Sequence, residues 1–181
     1  SEIFSIAQAT TVDQWSDEYW RLFDSSMACP INQAAYVRRE KGTILGDLSG
    51  FYLAFGWEHV LQTGERPDHL LCQLEFIAVM LAMAVQAQTD EQSEIAREAL
   101  GKFAQTHMHD WLPSFCWQLC EVTQLPLFGA IGTWLVMLWD ALTAVHAWPV
   151  DPRPAERIEV QQDIENPYEC AAGGLVQPGE H

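Results

Sequence analysis

DHLLCQLEFIAVMLAMAVQAQ, residues Asp68 to Gln88, is a long apolar run with a single acid, Glu75, inside it. It lacks the sustained alternation with β-branched residues that a half-buried strand needs, and it reads as a helix. Asp68 stands where an N-cap belongs, offering an oxygen to an otherwise unpaired amide of the first turn. Helical periodicity continues on both sides. Downstream, Thr89 or Asp90 caps a helix reaching about His107, with Ile95, Ala99 and Phe103 facing inward. Asp110 starts another, carrying Trp111, Phe115, Leu119 and Val122, with Pro113 tolerated in its first turn. An apolar helix from about Leu127 to Trp148 completes the core.

Upstream lies a polar connector, Gln62 to Pro67, in which Arg66 is pushed toward extended geometry by the proline after it. Before it, Leu45 to Phe55 places Leu48, Phe51, Tyr52 and Phe55 on one helical face, and Gly56 ends the element. Asn32 caps a short helix containing Tyr36, Val37 and the basic cluster Arg38-Arg39-x-Lys41, with Gly42 as its stop. Trp15, Tyr19, Leu22 and Phe23 form the apolar stripe of a first helix, capped by Asp13. The fold class is therefore all-α. The domain reading is a helical unit over 1–148 and a proline-interrupted, acidic tail over 149–181, extended on the body or disordered.

A chain of 181 residues, 49% of them apolar, suits one globular domain with its own core. Its formal charge of −16 repels a phosphate backbone and attracts basic segments, so no nucleic-acid partner is expected. The five cysteines are scattered without a Cys-x-x-Cys pair, which argues for reduced thiols. The start, Ser-Glu-Ile-Phe, lacks the pattern of a secretory signal, and a cytoplasmic location is expected. Gln124 to Trp139, QLPLFGAIGTWLVMLW, is uncharged but short of the roughly 20 residues of a spanning helix. It reads as a buried central helix, with no membrane span.

Phosphate-binding glycine loops and the Gly-x-Ser-x-Gly nucleophile turn are missing from the sequence. No catalysis, cofactor or stoichiometric metal is expected. The competing readings are a helical metal-binding protein or enzyme using His69, His107, Cys116 and Cys120, and a general helical adaptor. His107 and His109, two residues apart on one helix, make a poor metal pair.

Three segments together resemble the TorD/DmsD/NarJ family of molybdoenzyme assembly chaperones. They are LGDLSGFYLAFG (45–56), GERPDHLLCQLEFIAVML (64–81) and KFAQTHMHDWLPSF (102–115). The second is similar to the family's Glu-x-Pro-Asp-His signature followed by a Leu-Glu-Phe helix, and the third to its Phe…His…Trp-x-Pro-x-Phe segment. The resemblance implies a helical fold whose two parts meet at the Glu65–His69 connector. It also implies recognition of a signal peptide or amino-terminal region on an apo-molybdoenzyme catalytic subunit, holding back export or folding until the cofactor is inserted. Cys29-Pro30…Tyr36…Arg38-Arg39…Lys41-Gly42 is similar to the branch serving enzymes of the dimethyl sulfoxide reductase type. The state is monomer or dimer.

A twin-arginine leader offers two guanidinium groups and an apolar run, so its receptor needs carboxylates beside an aromatic groove. Glu65, Asp68 and Glu75, with Pro67 and His69, supply the polar part of the candidate site. Phe51, Tyr52, Phe55 and Trp57 supply the aromatic part if the connector folds against their helix. Each has a plainer role available: Asp68 as an N-cap, His69 as a structural first-turn residue, Tyr52 and Phe55 as core. Glu75, inside an apolar helix, would be costly if buried without a partner.

Overall fold

The computed structural model describes residues 2–25, 27–57 and 64–148. Among them are seven α-helices and no strand: α1 (Glu2–Ala9), α2 (Val12–Trp20), α3 (Lys41–Ala54), α4 (Leu70–Gln86), α5 (Asp90–Phe103), α6 (Leu112–Val122) and α7 (Pro126–His146). Single π-helical turns, Arg21–Ser25 and Ala104–Met108, extend α2 and α5. The all-α expectation holds. The proposed tail, 149–181, lies outside the described residues.

The core forms where helical stripes meet. Ile44, Leu48 and Tyr52 line α3; Leu70, Phe76, Ile77 and Met80 line α4; Ala96, Leu100 and Phe103 line α5. Phe76 is the hub of the first aromatic cluster, its ring 4.7 Å from Phe103 and 5.1 Å from Tyr52. A second cluster of Tyr36, Trp111 and Phe115 joins the 33–36 turn to α6. Inward-facing Ala99 and Phe103 are as expected, but Ile95 is exposed; the buried stripe of α5 is Ala96, Leu100, Phe103.

Several helix starts differ from the sequence expectation, each for a local reason. Thr11, not Asp13, caps α2, because Thr11 Oγ1 accepts from the Gln14 amide while Gln14 answers through the Thr11 amide. Asn32 precedes only a 3₁₀ turn, Gln33–Ala35, and its side chain makes no cap. Gly42 begins a helix instead of ending one, since the Glu40 carboxylate accepts from the amides of both Gly42 and Thr43. Thr89 caps α5. Asp110 caps nothing; α6 opens from Trp111 without a side-chain cap. An entire first helix, α1, precedes the one read from Trp15 to Phe23.

The buried central helix is also corrected. α7 is long and apolar enough to cross a membrane, but in this fold it packs on α6 and α1 with most of its length uncovered. Only Phe128, Gly132, Leu135 and Trp139 are buried along it. The packing is close at Gly132, where an added Cβ would stand 2.9 Å from Cys120 Sγ and 3.2 Å from the Cys116 carbonyl oxygen. Gly132→Ala gains roughly 1 kcal/mol of helix propensity. Overpacking costs about 1–3 kcal/mol. A net lower urea midpoint is expected, and an unchanged or higher one would refute the close α6–α7 approach.

Glu18 clamps α2 to the α6–α7 corner. It accepts from Arg21 at 2.7 and 2.8 Å, from Thr123 Oγ1 at 2.8 Å and from the Gln124 amide at 2.6 Å. Arg21 also donates to the Val122 carbonyl.

Candidate functional site

Asp68 organises the connector, though not as a helix cap. It is fully buried. Its carboxylate accepts from Arg66 Nε at 3.0 Å and Arg66 Nη2 at 2.9 Å, a two-point contact of the strong kind. It also accepts from Asn32 Nδ2 at 3.2 Å and the Ala34 amide at 3.1 Å. Main-chain bonds complete the seam: the Gln33 amide donates to the Asp68 carbonyl, and the Leu70 amide to the Ile31 carbonyl. The Tyr52 hydroxyl donates to the Pro67 carbonyl at 2.7 Å. The connector therefore does fold against α3, and it is stitched to the 31–36 segment as well.

His69 takes the capping position, its Nδ1 accepting from the Leu71 amide at 3.2 Å. An accepting Nδ1 leaves Nε2 to carry the proton of the neutral ring. Burial lowers the His69 pKa below its ordinary value, while Glu65, Asp68 and Glu75 act in the opposite sense. Glu65 and Glu75 are exposed, and both lie within electrostatic reach of His69 and Cys72. Glu75 is thus not a buried acid: its face of α4 looks outward.

The aromatic residues divide. Tyr52 is fully buried, and partly buried Phe51 packs on Phe103 and His107. Phe55 touches Phe76 and also lines a groove of about 450 Å³ with Met83, Ala87 and Ile95. Trp57 is half-buried, its amide donating to the Tyr52 carbonyl at 2.7 Å. Of the nine candidate residues, Glu65, His69 and Glu75 reach the surface at or beside the connector, whereas partly buried Phe55 faces the groove at the far end of α4 and Trp57 is partly buried just past the end of α3. Asp68 and Tyr52 sit beneath the connector and hold it in place, with Phe51 packed behind.

Sequence reasoning missed a buried amide chain. Gln73 Nε2 donates to Gln33 Oε1 at 2.7 Å, and Trp111 Nε1 donates to Gln73 Oε1 at 3.1 Å and to the His107 carbonyl at 2.6 Å. It links the 33–36 turn, α4 and α6 under the connector. The signal available was a glutamine within an otherwise apolar run.

His107 and His109 are both buried. Burial among Phe51 and Phe103 pulls the His107 pKa down to about 4. Among the described residues no three His, Cys, Asp or Glu side chains converge as metal ligands do. Cys116 is buried, and the Cys120 thiol donates to the Gly129 carbonyl.

The connector is thus a backbone stitched to α3 and to the 31–36 segment, with the exposed acids Glu65 and Glu75 beside it. The family model for the nitrate reductase delta subunit matches residues 2–117, and the chain belongs to that family. It is a family of chaperones, not enzymes, that act in molybdoenzyme maturation with the catalytic subunits. No curated protein and no solved structure matches the chain.

Proposed function

We propose that this chaperone acts in the cytoplasm on the apo-form of a catalytic subunit of the dimethyl sulfoxide reductase type. It binds the leader or amino-terminal region, and so delays folding or export until the molybdenum cofactor is inserted. The observation that carries this reading is the fixed connector. Asp68, held by four hydrogen bonds, sets the backbone on which Glu65 and His69 sit beside Glu75. Glu65 and Glu75 receive the guanidinium groups of the client, and His69 donates through Nε2. Phe55 and Trp57 offer apolar surface to the residues that follow. Pro67 serves through its carbonyl, fixed by Tyr52.

Calorimetric titration of a client amino-terminal peptide into wild-type protein and the Glu65→Gln/Glu75→Gln variant tests this. Both residues are exposed, and thermal melts run alongside the titrations establish that the variant is folded. The variant is expected to bind at least about tenfold more weakly, from the loss of two charge-assisted contacts. Wild-type protein with no affinity for the peptide would refute the role, and unchanged affinity in the variant would refute the site.

A further inference from the structure

The connector is not the only surface fitted to a partner. α1 and α7 enclose a groove of about 780 Å³ lined by Ile3, Phe4, Ile6, Ile131, Trp134 and Met137. Three of its large apolar side chains are mostly uncovered: Phe4 is 70% exposed, Trp134 55% and Met137 64%. A continuous apolar surface of this kind on a water-facing helix marks a place where something binds. α7 also begins beyond Trp117, the last residue that the family model matches.

Charge identifies the occupant. The four helices at this end, α1, α2, α6 and α7, contain no lysine or arginine. Asp13, Asp17, Glu121 and Asp140 are exposed on them. Asp140 follows Met137 by three residues, which puts it on the groove side of α7, one turn along. Arg21, the base that follows α2, is tied to Glu18. A second copy would bring a further −16 to this surface, and residues 149–181 carry seven acids against two arginines. Like charge disfavours both, and it equally disfavours an anionic membrane. A basic segment with apolar anchors is attracted.

We propose that the α1–α7 groove seats an apolar helical segment flanked by lysine or arginine, belonging to the client bound at the connector. This rests on the function proposed above and gives the chaperone a second contact surface. Anchors at i, i+3 or i+4 and i+7 of the bound helix lie along Phe4, Trp134 and Met137. The basic flank meets Asp140 and its neighbours.

The full chain would be titrated with the client amino-terminal peptide and with two synthetic 20-residue Leu/Ala helices. One helix is flanked by arginines and the other by glutamates. The basic helix is expected to bind, more weakly as salt is raised, and the acidic helix at least about tenfold more weakly. Trp134→Ala/Met137→Asp should weaken the basic helix and the client peptide by about tenfold or more, since central aromatic anchors dominate such contacts. Val85→Ser, 86% exposed on α4 and outside the groove lining, should change neither. If the Glu65→Gln/Glu75→Gln variant loses the client peptide while the Trp134→Ala/Met137→Asp variant keeps it, the groove inference is overturned and the connector reading stands. If wild type binds no client peptide, both readings fall. A photo-crosslinker at position 134 that reacts with residues 149–181, with a second copy or with lipid vesicles, and not with peptide, also overturns it.

Discussion

Asp68→Ala is expected to lower stability by about 3 kcal/mol, because it removes the acceptor of a buried, multiply bonded carboxylate. Four donors converge on that carboxylate: two from Arg66, one from Asn32 and the Ala34 amide. Arg66 is 39% exposed and can return to water, but the Ala34 amide and Asn32 Nδ2 are held by the seam. Asp68→Asn keeps one acceptor oxygen and turns an amide group toward donors, so it should fall between alanine and wild type, at about 1–2 kcal/mol. This reverses what an N-cap at Asp68 would give, since asparagine caps nearly as well as aspartate. Arg66→Ala should cost less than Asp68→Ala. Urea unfolding at pH 7 measures all three. An asparagine variant indistinguishable from wild type would show that the carboxylate does not hold the connector.

The Asp68 case also explains where sequence reading stops. Its position before a long apolar run is a sound cap signal, but whether the aspartate caps depends on donors more than thirty residues earlier. Asn32 and Ala34 recruit it, and His69 takes over the cap. The same limit applies within α4. Gln73 and Glu75 are two residues apart, about 200° around a helix, so only one can face the core. The sequence marks both as unusual in an apolar run. The choice falls to Gln33 and Trp111, which accept and complete the amide of Gln73, and Glu75 is turned outward. By contrast, α3, α4 and α7 were legible within a few residues, because their apolar spacing is local and long. α1 is short, with its apolar residues placed against α7, so its stabilising partner lies over a hundred residues away. The candidate site was half legible. Glu65, His69 and Glu75 could be grouped from the connector, whereas the separation of Phe55 and Trp57 from buried Tyr52 required the fold.

Stability is expected to fall by about 2 kcal/mol between pH 7.5 and pH 5, with His107 the main cause. The His107 ring is fully buried against Phe51 and Phe103, and burial lowers its pKa from 6.5 to about 4. Asp47 acts to raise that pKa and Arg39 to lower it; these two form an ion pair with each other. Above pH 6.5 both the folded and unfolded states hold a neutral ring, and nothing is lost. Between pH 6.5 and 4 only the unfolded chain takes up the proton, so stability declines as pH falls, by up to about 1.4 kcal/mol per unit. Below 4 the folded state protonates too and this loss stops growing. Glu18 then adds a separate loss: its pKa is lowered from 4.5 to about 2, chiefly by the Arg21 hydrogen bonds. Its stabilisation is complete above pH 4.5 and disappears as pH falls toward 2. The two groups thus act in successive windows and can be told apart. Among the described residues neither His107 ring nitrogen has a hydrogen-bond partner, so His107→Phe orphans no donor or acceptor there and keeps an aromatic ring among aromatics. That variant should flatten the pH 7.5 to 5 portion of the urea-midpoint profile and leave the steeper decline below 4.5. Glu18→Gln should lower stability at pH 7 and flatten only the lower portion. A His107→Phe profile that still falls between pH 7.5 and 5 as wild type does would place the acid sensitivity in another group.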